Sequence, residues 1–144
     1  MPSLEEENKD LVRRYLNAFN DRDEATLADL LSEDVVEHGI HTTLRGVDDV
    51  LDFLQSHFDV FPDYSGTTEA IVTEGDTVTV RYSVGGTHSG EYRDVEPTQK
   101  TVEWTGIAMY RIEDGRIAEI WIEENRLDLL EQLEVVQPPA YLRI

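Results

Sequence analysis

The chain contains no cysteine. That excludes disulfides and thiolate metal sites, and with them the stapled framework of a small secreted protein. Lysine is almost missing: only Lys9 and Lys100 occur, and the other cations are arginines. No apolar run approaches the roughly 20 residues of a membrane span. The opening MPSLEEENKD has no apolar signal core, so the expected location is cytoplasmic, away from the membrane. There is no G-x-S-x-G nucleophile motif and no H-E-x-x-H metal motif.

What is abundant is acid. Asp and Glu number 31 against 12 Lys and Arg, a net charge of −19 over 144 residues. Such a surface repels a phosphate backbone, so nucleic acid is not an expected partner. A lysine-poor, acid-rich surface also fits a salt-rich cytoplasm, and a halophilic origin is expected on this charge logic. Forty per cent of the residues are hydrophobic, a globular composition. The length suggests a single domain, 1–144.

Hydrophobic spacing divides the chain in two. Residues 1–66 read as mainly helical. Ser3 and Glu6 form a capping-box pattern, and Leu11, Val12, Tyr15, Leu16 and Phe19 follow at helical spacing. Helices are predicted at about 4–20, 21–31 and 46–58, with SEDVVEHGIH (32–41) as a loop holding a short extended piece. From residue 67 the period becomes two. Residues 68–84 make a hairpin turning at Glu74-Gly75-Asp76, and 101–125 a second one turning at 113–115. A short helix closes the pattern at 126–134, and a tail with Pro138-Pro139 follows at 135–144. Helices first and an antiparallel sheet after them define an α+β fold, with helices on one face of a curved sheet.

Strand parity places Val78, Val80, Tyr82, Val84, Gly86 and His88 on one face. Two readings of His88 stay open: a hydrogen-bonded interior histidine, or a pocket residue beside glycines that admit a ligand. In the last strand, Trp121, Glu123 and Asn125 share one face, while Ile120, Ile122 and Glu124 share the other. Either face could be the inner one by parity alone. His38 and His41 have H-x-x-H spacing without a complete ligand set, so no metal is expected. Tyr15, Phe19, Phe58, Trp104, Met109 and Trp121 are candidates to line a pocket, although such a residue alone is more often core.

SEDVVEHG, FPDYS, EGDTVTVRYSVGGTHSGEY, PTQK, RIEDGRIAEIW and LLEQL occur in an order that resembles the SnoaL-like polyketide cyclases, over about residues 10–133. The resemblance implies a nuclear-transport-factor-two-like (cystatin-like) cone around an apolar pocket. It implies aldol-type ring closure on a small apolar carbonyl ligand without cofactor or metal, and a homodimer. It places His38 and His88 in the pocket. The family's acid/base aspartate falls at Asn125, whose amide can donate a hydrogen bond but cannot act as a base. Glu123, two residues back on the same face, is the first candidate for a substitute base, and His88 is another. Gln99 stands where the family usually has glycine. Other readings of the same scaffold are a non-catalytic ligand-binding protein and a dehydratase or epoxide hydrolase.

Overall fold

The computed structural model describes residues 1–137 and 140; Pro138 and Pro139 lie outside the described residues. Helix α1 runs Leu4–Asp21, and its N-cap Ser3 side chain accepts the Glu6 amide at 3.1 Å. Helix α2, Glu24–Leu30, is capped by Asp23. Strands β1 (Leu31–His38) and β2 (Thr43–Arg45) follow, then helix α3, Val47–Val60. Phe61-Pro62 ends α3, since proline cannot continue a helix. Strands β3 (Ser65–Glu74), β4 (Thr77–Thr87), β5 (Thr101–Glu113) and β6 (Arg116–Glu124) then run as consecutive hairpins, and α4 (Arg126–Gln132) closes the order.

The six strands form one curved sheet in the order β2-β1-β6-β5-β4-β3. It is mixed, not wholly antiparallel, because β1 pairs parallel to β6. The expected loop at 32–41 is thus mostly a strand. Its alternation is masked because Glu37, a carboxylate, occupies an inward position beside Val35. The N-terminal helices cover one face of the sheet, as expected of an α+β chain.

Two apolar clusters hold the layers together. The larger joins Leu11, Val12 and Tyr15 of α1 to Val78, Val80, Tyr110 and Ile120 of the sheet. The smaller gathers Phe61, Tyr64, Val84, Trp104 and Leu129. The Phe61–Tyr64 turn reaches this position because Gly86 lacks a side chain. A Cβ there would stand 2.9 Å from the Phe61 Cβ and 3.3 Å from the Tyr64 Cα. Asp63 fastens the same turn, accepting the Thr87 amide at 2.6 Å and the Thr87 hydroxyl at 2.8 Å. These bonds hold the Asp63 carboxyl below the usual carboxylate range. Gly86 of GGTHSGEY therefore admits the chain's own FPDY segment, while Gly85 lies against β5 and Gly90 against the end of α3.

Gly86→Ala should destabilise the fold by about 1–3 kcal/mol, because a Cβ here meets the Phe61 Cβ and the Asp63 carboxylate that Thr87 holds in place. A urea titration with an unchanged midpoint would contradict this packing.

Candidate active site

A cavity of about 340 Å³ lies between the helices and the concave face of the sheet. Both clusters contribute to its wall, Tyr15, Ala108, Tyr110 and Ile120 from one and Tyr64 and Val84 from the other. The lining is mostly apolar, with a small set of polar groups, as in small-molecule sites.

One of its acids is Glu37. Strand alternation turns Val35 and Glu37 inward, and Glu37 pairs in register with Ile120 of β6. Its side chain is buried and makes no hydrogen bond to a described residue. Burial, reinforced by the negative charge of Glu124, pushes its pKa up to about 7. An unpaired carboxyl in an apolar wall keeps its proton near neutrality for this reason. Tyr15 and Tyr110 line the same wall, with rings in edge contact at 5.9 Å. Burial and then Glu37 raise the pKa of both, so their hydroxyls remain donors.

Glu124 is the second acid, and it is anchored. It accepts the Trp104 Nε1–H at 2.9 Å, the Arg126 Nε–H at 2.8 Å and the Tyr82 hydroxyl. Tyr82, Gly106 and Glu124 form one row across β4, β5 and β6. A Cβ on Gly106 would lie 2.6 Å from both the Tyr82 hydroxyl and the Glu124 Cγ. The missing side chain lets the outer two meet over the middle strand. Arg126 then reaches Tyr92 Oη at 3.0 Å and donates towards His57 Nε2 at 3.4 Å. His57 Nδ1–H donates to the Phe53 carbonyl at 2.9 Å. Burial pushes the His57 pKa down, so the ring is neutral at pH 7.

A smaller cavity of about 190 Å³ adjoins the first and shares Phe53, His57, Arg93 and Arg126 with it. Arg93 sits in a tight turn closed by paired Tyr92–Val95 backbone hydrogen bonds of 3.0 and 2.8 Å. Both central residues are left-handed, Arg93 at φ 46° and Asp94 at φ 68°. The hairpin at Asp114-Gly115 has the same signs, with the residues such turns prefer.

The sequence-expected residues are distributed unevenly. Tyr15 and Phe19 line the larger cavity, and Trp104 lines the smaller. Phe58 packs behind, between Phe19 and Tyr64, with the Arg22 guanidinium 4.0 Å above its ring. His38 is on the opposite face of the sheet, stacked on Trp121 at 5.5 Å and bonded to Glu119 at 2.6 Å. Met109 pairs with Trp121 there, and both are exposed. Glu123 is exposed as well, because the inward parity of β6 belongs to Ile120, Ile122 and Glu124.

Asn125 is an exposed helix N-cap whose side chain accepts the Asp128 amide at 3.1 Å. His88 points inward as parity predicts and is fully buried, but it lines neither cavity. Thr98 N–H donates to its Nδ1 at 3.2 Å, which leaves the proton on Nε2, where no partner is found among the described residues. Burial pushes its pKa down. His88 and Asn125 do not meet: the first is sealed in the interior and the second caps α4 at the surface. Gln99, at φ 59°, takes a backbone conformation in which glycine is the unstrained choice. His41 is at the cavity mouth while His38 is outside, so H-x-x-H does not converge. Among the described residues no group of three His, Asp or Glu side chains could hold a metal.

N-terminal helices over one face of a curved, mixed six-stranded sheet are the nuclear-transport-factor-two-like architecture. The family profile described as SnoaL-like polyketide cyclase matches residues 9–133, and the chain belongs to that family. Among solved structures, IdmH of Streptomyces antibioticus, a candidate polyketide cyclase, is 35% identical, with a TM-score of 0.79 over 89% of this chain and 99% of that one. AclR of Streptomyces galilaeus, a candidate hydroxylase, is 28% identical, with a TM-score of 0.82 over 91% and 98%. A SnoaL-like protein of Jannaschia sp. CCS1, at 18% identity, shares the fold with a TM-score of 0.85 over 96% and 98%. A search of curated proteins gives no match.

The raised Glu37 pKa has a stability consequence. Below the ordinary value of 4.5 both folded and unfolded chains hold this proton. Between 4.5 and about 7 only the folded chain keeps it, so its contribution falls as pH rises and is fully lost above about 7. Glu37→Gln should therefore match the wild type near pH 4 and exceed its stability at pH 8 by up to about 3 kcal/mol. Paired denaturation curves at the two pH values check this, and equal differences at both would refute the burial argument.

Proposed function

We propose that the protein is a cyclase or isomerase acting on a small, largely apolar carbonyl compound of polyketide type, by acid–base chemistry that needs no cofactor. The observation that carries this reading is Glu37, a buried, unpaired carboxyl with a pKa of about 7 in an apolar cavity. A carboxyl tuned to neutrality is half ionised at working pH, which suits a group that must both take and return a proton.

In the proposed sequence, ionised Glu37 removes a proton from the carbon beside a substrate carbonyl. The electron pair moves onto the carbonyl oxygen, and the Tyr15 and Tyr110 hydroxyls donate hydrogen bonds to that enolate. The enolate carbon then attacks a second carbonyl of the same molecule and closes a carbon–carbon bond. The new alkoxide takes the proton held by Glu37, which restores the starting carboxylate. Glu124, fixed by its three donors, takes no part in the transfer, and its charge keeps Glu37 basic. With Asn125 and Glu123 outside the cavity, the base is assigned to Glu37, which lines it.

Proton exchange tests the first step without knowledge of the natural substrate. In D₂O the chain should accelerate loss of the α-protons of 2-tetralone, followed by NMR, with a rate that rises through pH ~7 as Glu37 ionises. Glu37→Gln should cut the rate by ~100-fold or more. Glu123→Gln should leave it intact. A full rate in Glu37→Gln would sink the assignment.

The acid-rich surface supports a cytoplasmic, salt-adapted setting, and the outer sheet face supports a homodimer. Ile107, Met109 and Trp121 are exposed apolar groups on that face, among carboxylates that repel a second copy at low salt. In sedimentation velocity the dimer share should grow from low to molar KCl, while Trp121→Glu should run as a monomer in both. A Trp121→Glu dimer would remove this face from consideration.

A further inference from the structure

The junction between the two cavities is more positive than a chain of net charge −19 leads one to expect. Four residues line both cavities: Phe53, His57, Arg93 and Arg126. Arg126 has its anion, Glu124, at 2.8 Å. His57 is neutral, since burial pushes its pKa down. Arg93 has no ion pair and no hydrogen bond among the described residues; its one recorded contact is the Tyr92 ring, 5.9 Å away. Glu91 lines the smaller cavity without pairing to it. Glu37, the free acid of the larger cavity, keeps its proton up to a pKa of about 7 and does not cancel the guanidinium below that pH.

The backbone gives an independent reason to assign Arg93 a task. Its turn has positive φ at both central residues, 46° and 68°, a geometry that asparagine and glycine adopt with least strain. The chain uses Asp114-Gly115 for a turn of the same sign. At 93 it keeps a long cationic side chain in an unfavourable conformation, on the rim shared by both cavities. Non-glycine residues held in sparsely populated backbone regions concentrate at ligand clamps.

We infer that Arg93 is a ligand anchor for a carboxylate, and that the ligand is an apolar carbonyl compound bearing a carboxylic acid arm at the junction of the two cavities. This rests on the larger cavity being the carbonyl site. The apolar body lies against Tyr15, Tyr110 and Ile120, its ketone meets Glu37, and the acid arm reaches the guanidinium fork, which pairs a carboxylate bidentately. Arg93 thus selects the charged arm and takes no part in proton transfer.

Isothermal titration calorimetry with 2-naphthoate and its neutral counterpart 2-naphthamide, at pH 6.5 and low salt, tests the anchor. The wild type should bind the acid about tenfold more tightly than the amide. That preference should weaken with added KCl, disappear in Arg93→Gln, and survive in part in Arg93→Lys. Arg93→Gly should also lose it while unfolding at the same or a higher urea concentration, which separates the side chain's charge from the turn's stability. Equal binding of acid and amide by the wild type, or an undiminished preference in Arg93→Gln, overturns the anchor and leaves the carbonyl cavity standing. Failure of both probes to bind overturns the cavity reading and the anchor with it.

Discussion

The carboxylate of Glu124 is where the layers of this protein are tied together. It accepts from a tyrosine on β4, a tryptophan on β5 and an arginine at the start of α4. Three donors around one carboxylate satisfy its oxygens inside an apolar wall and fix its orientation. The arrangement requires a gap in the middle strand, which Gly106 provides. Its charge then acts across the cavity on Glu37, which has no such donors and answers by holding its proton. Two glutamates in one hollow thus differ: one is held by three donors, the other has none and a raised pKa.

Much of the scaffold was legible because burial follows period. The 3.6-residue spacing of Leu11, Val12, Tyr15 and Phe19 marks α1, and alternation from Val78 to Gly86 marks β4 and correctly turns His88 inward. Parity orders residues onto two faces but does not say which face is concave. That choice is made by long-range pairing, here β6 between β1 and β5 with a shift near Arg111 and Ile112. Parity therefore left both faces of β6 open, and the resemblance pointed to Glu123 and Asn125, whereas the hollow is lined by Ile120, Ile122 and Glu124.

Glu37 was missed for a related reason. A carboxylate at an inward position breaks the apolar alternation that identifies a strand, so the segment reads as a loop. The available signal was Val35 two residues before it and Gly39 two after, all on one parity. Inward acids are rare because desolvation is costly. The residue that spoils the pattern is for that reason the one to examine for chemistry.

β1 carries neighbouring residues with opposite surroundings. Glu37 faces the hollow, while His38 stacks on Trp121 outside. The phase is set by the irregularity in pairing between Leu31 and Val36. Inserting or deleting one residue in that stretch would exchange the two side chains, sending an imidazole into the apolar hollow and a carboxylate onto the indole. The residue count from 31 to 37 therefore decides which of the two side chains enters the hollow.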